Sequence, residues 1–242
     1  MNRGERRNAL EEQLREDLVT CLQRLSHDDE VRVIILTGTS NAFCAGGDLK
    51  ELSAGLTIDQ ARKYVHHANR IVLAIRAVEK PVIAAVNGSA MGAGFSMALA
   101  CDLIVASEEA RFGQGFVHVG AVPDLGGTYF SPRLFGLQRA KEFAFTGRIL
   151  TGRDLFQMGV VNSLTSPDDL EAGALDLAAR IAQGPPLALG LAKRLLNMSS
   201  SCSLEEMLEL EAQSQAACFQ SQDHKEGINA FFEKRKPRFK GR

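Results

Sequence analysis

Twice along this chain an apolar run without polar alternation leads into a glycine-rich turn, and no other feature narrows the fold as much. The first run covers residues 31–36 and is soon followed by Phe43-Cys44-Ala45-Gly46-Gly47-Asp48-Leu49. The second covers residues 82–86 and leads directly into Asn87-Gly88-Ser89-Ala90-Met91-Gly92-Ala93-Gly94. A strand that is apolar on both faces belongs in a parallel sheet covered on both sides. Glycines at the handover from strand to helix permit a tight turn. The helix start also leaves N–H groups unpaired, with the positive end of the helix dipole behind them. Either turn alone is explained by backbone freedom, but the pair points to a place that binds an oxyanion.

Helical patterning fills the spaces between these runs. Leu10, Leu14, Leu18, Cys21, Leu22 and Leu25 recur at three- and four-residue spacing and predict an amphipathic helix before the first strand. Thr57 and Gln60 form a capping-box signature ahead of Ile58, Ala61, Val65, Ala68, Val72 and Ile75, and Pro81 opens the second strand. A further short strand is predicted at residues 103–106. This alternation predicts an α/β domain over residues 1–165. Beyond it, Ser166-Pro167-Asp168-Asp169 and Ser203-Leu204-Glu205-Glu206 read as helix starts, and residues 187–196 and 204–210 carry helical patterning. Residues 166–242 are therefore predicted to form a helical cap.

With 242 residues, 45% of them apolar, the chain can bury a substantial core. Its 28 Lys and Arg against 29 Asp and Glu give no overall basic bias, which favours a small-molecule ligand over nucleic acid. Cys21, Cys44, Cys101, Cys202 and Cys218 are scattered, with no C-x-x-C pair and no histidine at ligand spacing, so they read as reduced structural thiols and predict no metal site. No stretch reaches the roughly 18 apolar residues of a membrane span, and the charged start at residues 1–7 has no apolar segment behind it. A soluble, cytoplasmic protein without a membrane partner is expected.

Seven motifs, in order, carry a resemblance. They are Asn2-Arg3-Gly4-Glu5-Arg6-Arg7-Asn8-Ala9-Leu10, the two glycine-rich turns, Ala100-Cys101-Asp102-Leu103-Ile104-Val105-Ala106-Ser107, Phe112-Gly113-Gln114-Gly115-Phe116, Val122-Pro123-Asp124-Leu125-Gly126-Gly127-Thr128, and the stretch from Glu226-Gly227-Ile228 to Pro237-Arg238-Phe239. Together they resemble the signatures of the crotonase (enoyl-CoA hydratase/isomerase) superfamily. The resemblance implies an α/β fold, a crotonase-like ββα superhelix core with a C-terminal helical cap. It also implies homotrimers, often paired into hexamers, and an acyl-CoA thioester as ligand. CoA enters as part of the substrate and no other cofactor is expected.

Carried over by position, the backbone N–H groups of Gly47 and Ala93 form an oxyanion hole, and Ala45, Gly46, Asp48, Leu49 and Gly92 adjoin the substrate. Arg6 and Arg7 fall on the adenine side of CoA. Phe231 and Lys234 resemble residues that contact the CoA nucleotide, in several relatives from a neighbouring subunit. The strand pair that usually precedes the Asn-Arg motif is absent, which leaves the contacts near Arg6 and Arg7 less defined. Residues 51–58 resemble the variable segment that borders the acyl pocket in relatives, and the pocket's shape is expected to depend on residues 51–64 and on the helical cap.

The pattern departs from the family's hydratases at two positions. Where they carry two glutamates, this chain has Ser96 and Phe116, neither of which suits the activation of water and protonation of the α-carbon. Asp124 remains, at a position that carries an aspartate in dienoyl-CoA isomerases and in ring-1,2-epoxyphenylacetyl-CoA isomerases, the latter being the nearest resemblance. One carboxylate suits the transfer of a proton between neighbouring carbons of a thioester enolate. On the residues alone, the Pro-Asp-x-Gly pattern reads equally well as a turn. Phe116, Leu125 and Phe130 are expected to make the surroundings of Asp124 apolar and raise its pKa.

Three other readings stay open. One is a hydratase, or a hydrolase or dehalogenase in which Asp124 is the nucleophile. Another is a catalytically silent CoA-binding or scaffold member. The third is RNA binding through the basic tail at residues 234–242. His66 and His67 read as surface histidines, His118 as structural, and Cys44 as lacking a neighbour that would activate it.

Overall fold

The computed structural model of the chain describes residues 1–53 and 55–241. Ala54, within the predicted border of the acyl pocket, and Arg242, at the end of the basic tail, lie outside the described residues. After a 3-10 turn at Gly4–Arg6 come α1 (Glu12–Ser26), β1 (Ile34–Thr37), β2 (Ala42–Cys44), α2 (Leu49–Leu52), α3 (Ile58–Ala77), β3 (Val82–Val86), β4 (Ser89–Met91), α4 (Ala93–Ala100), β5 (Leu103–Ser107) and β6 (Arg111–Gly113). A second 3-10 turn, Gly115–Val119, leads to α5 (Gly127–Phe135), α6 (Leu137–Thr146), β7 (Ile149–Thr151), α7 (Gly152–Gln157) and β8 (Ser163–Thr165). Four helices follow: α8 (Leu170–Ala182), α9 (Pro186–Met198), α10 (Leu204–Gln220) and α11 (Gln222–Phe232).

The strands form two four-stranded sheets, ordered β1-β3-β5-β8 and β2-β4-β6-β7, and β1 to β6 alternate between them. All pairings are parallel except β6 with β7. This is the crotonase-like ββα superhelix that the motifs imply, with one strand of each pair in each sheet. β3 shows why its sequence does not alternate: all five of its residues are buried, Val82, Ala84 and Val86 in the main core and Ile83 and Ala85 under α8 on the other face. In the core Phe112, Phe95, Phe135 and Phe143 form a chain of rings, with successive centroids 5.3, 6.1 and 5.4 Å apart. The spacing suits tilted and edge-on contacts.

Two local differences from the sequence reading have clear causes. β1 begins at Ile34 rather than Val31, because the Val31 N–H is used in a turn, donating to the Asp28 carbonyl at 3.0 Å. And α8, the first helix of the predicted cap, lies on the first sheet, where Leu170 and Ala174 bury Ile83, Ala85 and Val105. α9 is fastened by Lys193, whose buried Nζ lies 2.7 Å from Asp102 and donates to the carbonyls of Ile75 and Lys80 at 2.9 and 3.1 Å. α10 contributes no buried residue, and Leu204, Leu208, Phe219, Ile228, Phe231 and Phe232 of α10 and α11 stand exposed.

Candidate active site

The first glycine-rich turn is held so that one N–H is left over. The Ala45 N–H donates to the Arg7 carbonyl at 2.9 Å, and the Gly46 N–H donates to Cys44 Sγ at 3.4 Å. The Leu10 N–H donates to the Gly46 carbonyl at 2.8 Å. That carbonyl shares a trans peptide with the Gly47 N–H, so clamping it from one side aims the N–H to the other. Among the described residues the Gly47 N–H has no protein acceptor.

The second turn does the same at a helix start. The Gly92 N–H donates to the Gly113 carbonyl at 2.8 Å, and the Gly92 carbonyl accepts from the Ser96 N–H at 3.1 Å and its hydroxyl at 3.4 Å. The Ala93 N–H, first in α4, is one of the donors that a helix leaves unpaired. The turns touch. A methyl group on Gly46 would lie 3.3 Å from the Ala93 nitrogen and 2.7 Å from the Met91 carbonyl, and Gly46 has φ +92°, so only glycine fits there. Two main-chain donors from different turns thus stand beside one another.

Asp124 sits in a reverse turn that the Gly127 N–H closes onto the Asp124 carbonyl at 2.8 Å. Leu125 and Gly126 have φ +46° and +78°, the signature of a type I′ turn. A left-handed leucine costs about 1–3 kcal/mol, and full burial of its side chain in the core holds it there. Asp124 is itself mostly buried, and its Oδ1 has no hydrogen-bond partner among the described residues. Burial pushes the carboxyl from 3.8 up to about 6, opposed only by Asp124's own backbone N–H. Turn and ionisable site coincide in one residue. Gly127 places the turn against α4, since a methyl group there would lie 2.6 Å from Ser96 Oγ and 3.1 Å from Pro123. The ring of Phe116 covers Gly92, 3.5 Å from where a methyl group would stand.

The other predicted residues divide. Ser96 is fully buried and its hydroxyl turns back onto Gly92, so it is enclosed rather than presented to a ligand. Asp48 is also spent on structure: one oxygen caps α2 through the Lys50 N–H at 2.8 Å and the other holds Arg6 at 2.6 Å. Arg6 is correspondingly occupied, whereas Arg7 and Leu49 are exposed. Phe231 and Lys234 are exposed at the end of α11, and no hydrogen bond, ion pair or ring contact among the described residues ties them to the two turns. His67 lies 3.7 Å from Glu16, His66 is exposed, and His118 packs on Gly147. Cys44 is fully buried and its thiol is pushed up to about 12.

Sequence reasoning missed a pair behind the first turn. Buried Arg15 donates to the Leu10 carbonyl at 2.6 Å and lies 4.3 Å above the ring of Tyr64. The Tyr64 hydroxyl is 3.2 Å from where a methyl group on Gly47 would stand, and burial raises its pKa. An arginine directly after a core leucine of α1 was the available signal.

The chain is similar to known proteins along its whole length. A family profile described as Enoyl-CoA hydratase/isomerase matches residues 1–242. The chain is 35% identical over 245 residues to 1,2-epoxyphenylacetyl-CoA isomerase of Escherichia coli, covering 100% of this chain and 94% of that protein. It is 36% identical over 237 residues to a short-chain-enoyl-CoA hydratase of Clostridium acetobutylicum, covering 98% and 90%. The crystal structure of an enoyl-CoA hydratase from Bacillus anthracis superposes with a TM-score of 0.94 at 36% identity, covering 99% and 93%. Among the described residues no helix is long and apolar enough to cross a membrane, and no group of three or more His, Cys, Asp or Glu is placed to hold a metal ion.

Proposed function

This chain belongs to the enoyl-CoA hydratase/isomerase family, and we propose that within it the protein is an acyl-CoA isomerase that shifts a double bond or opens a ring epoxide. The thioester carbonyl accepts hydrogen bonds from the Gly47 and Ala93 N–H groups. Asp124 takes a proton from the carbon next to the carbonyl, or from the vinylogous one, and the electron pair moves onto the thioester oxygen as an enolate. Asp124 then returns the proton to a different carbon, so the double bond moves and no atom is gained or lost. Each oxyanion donor contributes on the order of 3 kcal/mol to the barrier reduction.

The observation that carries this reading is the state of Asp124, a mostly buried carboxyl with an unpartnered oxygen and a pKa of about 6. It is ionised enough near neutral pH to accept a proton and acidic enough to return it. Ser96 is enclosed and Phe116 cannot move a proton, so a second acid–base group for hydration has no counterpart at those two positions. CoA is carried by the substrate and no further cofactor takes part. The Lys234 ammonium suits a CoA phosphate, and with Phe231 it would serve the site of a neighbouring copy in a homotrimer or hexamer.

The relative named as a hydratase makes water addition the competing outcome. A 3-enoyl-CoA incubated with the protein in heavy, oxygen-labelled water separates the readings. A 2-enoyl product with no labelled oxygen is the expected result, carrying deuterium at the α or γ carbon to the extent that the proton held by Asp124 exchanges with solvent. Labelled oxygen on the β-carbon would mean hydration, labelled oxygen in the Asp124 carboxyl would mean nucleophilic attack, and neither product nor exchange would mean a silent CoA-binding protein.

A further inference from the structure

Cys44 belongs to the first glycine-rich turn and touches the second at the start of α4. We infer that Cys44 is a positioning residue for the oxyanion hole, its sulfur fixing the Gly46–Gly47 turn while its main chain and Cβ set the distance to α4. The inference rests on the assignment of Gly47 and Ala93 as the thioester-binding donors.

The first contact is a hydrogen bond. The Gly46 Cα joins two peptide planes, and each is held by one bond: the preceding plane by the Gly46 N–H to Cys44 Sγ at 3.4 Å, the following plane by the Leu10 N–H to the Gly46 carbonyl at 2.8 Å. With both planes held, the φ of +92° at Gly46 is set, and the Gly47 N–H has one direction. Glycine is the residue least able to hold such an angle by itself. Without the sulfur acceptor, the plane before Gly46 loses the bond that sets it. The burial that pushes the thiol up to about 12 keeps it protonated, so it serves as a neutral acceptor and not as a nucleophile.

The second contact is steric. A methyl group on Gly94 would overlap the Cys44 carbonyl and lie 2.7 Å from Cys44 Cβ, so the first turn of α4 rests directly on this residue. Cys44 is fully buried, and one residue therefore relates the position of Gly47, through its sulfur, to that of Ala93, through its main chain and Cβ. Neither contact involves the substrate, which distinguishes Cys44 from a catalytic residue.

Three substitutions test the sulfur's role while leaving in place the carbonyl and Cβ that meet Gly94. Cys44→Ser keeps an acceptor, Cys44→Val keeps bulk without an acceptor, and Cys44→Ala keeps neither. Because loss of a whole oxyanion donor costs on the order of 100- to 1000-fold, a donor that is misdirected should cost less. We expect Cys44→Val and Cys44→Ala to lose about tenfold in kcat with little change in KM, and Cys44→Ser to stay within about threefold of the parent. The spectroscopic readout is the absorption of a bound cinnamoyl-CoA thioester bearing an electron-donating para substituent, which moves to longer wavelength as its carbonyl is polarised. The shift should be present in the parent, retained in Cys44→Ser and reduced in the other two. A parent shift that Cys44→Val reproduces in full would overturn the role of Cys44 and leave the oxyanion hole intact. No shift in the parent would remove the oxyanion hole and the inference with it. Should Cys44→Val and Cys44→Ala fail to fold, hydrogen exchange of the Gly46 amide in the parent decides: slow exchange supports the N–H to sulfur bond, and exchange at the rate of an unbonded amide refutes it.

Discussion

Asp124→Asn should make the protein more stable and nearly inactive, and the size of the stability gain follows from the site. Burial raises the carboxyl from 3.8 to about 6. At about 1.4 kcal/mol per tenfold change in proton affinity, keeping this group ionised costs the folded state about 3 kcal/mol. The sign is set by linkage. Below pH 3.8 the carboxyl is protonated in both folded and unfolded chains and the cost is absent; as pH rises through about 6 the folded state loses that advantage, and above it the penalty is constant. Asparagine has the same shape and no charge. The atom that replaces Oδ1 lacks a partner just as Oδ1 does, so that cost is common to both proteins and cancels, and a net gain of up to about 3 kcal/mol at pH 8 is expected, shrinking towards zero near pH 4. Loss of the base should lower kcat by about 100- to 10,000-fold. The parent's kcat/KM should rise with pH through about 6 and then level off. Urea denaturation of both proteins at one concentration and several pH values, alongside the pH–rate profile, tests this. A variant that is no more stable than the parent at pH 8, or a stability difference that does not change with pH, would refute the electrostatic reasoning.

Two further outcomes follow from geometry alone. Gly46→Ala places a methyl group 2.7 Å from the Met91 carbonyl at a φ of +92°, and should cost about 2 kcal/mol or more in stability and about 100-fold or more in kcat; a variant with parental kcat would show that Gly47 is not held through this residue. Lys193→Met leaves Asp102 and the carbonyls of Ile75 and Lys80 without their buried cation, and should destabilise by about 3–5 kcal/mol in chemical denaturation, whereas a loss under about 1 kcal/mol would mean that the ion pair does not fasten α9.

What could be read from the residues depended on how local the cause was. The capping box of Thr57 and Gln60 forms as its spacing predicts, and the strand at residues 82–86 begins and ends where the apolar run does. β2, β4, β6 and β7 have three residues each, too few to show any period, and each of the three pairings among them joins distant parts of the chain. α5 and α6 were equally hidden, because Pro132 and Gly136 interrupt the pattern that would mark a helix. Asp124 shows a different limit. Its Pro-Asp-x-Gly context admits a turn and an ionisable site as rivals, yet the fold needs the turn in order to bury the carboxyl. Arg15 and Tyr64 belong to different helices and meet behind Gly47, so no spacing rule could join them.

The same geometry gives Ser96 and Phe116 a meaning beyond the loss of two glutamates. α4 is entirely buried and carries no charged side chain, so the field at its N-terminus is not offset from within. Ser96 Oγ reaches the start of α5 at Gly127, immediately after the turn of Asp124, and Phe116 covers Gly92 beside the second donor. A carboxylate at either position would place a like charge near Asp124, and like charges raise one another's pKa. Asp124, already lifted to about 6 by burial alone, would be driven higher and spend more of its time protonated at neutral pH. A single buried carboxylate with no second one at these two positions is thus the arrangement in which one group can both take and return a proton, and under the proposed reaction the serine and the phenylalanine are what keep it single.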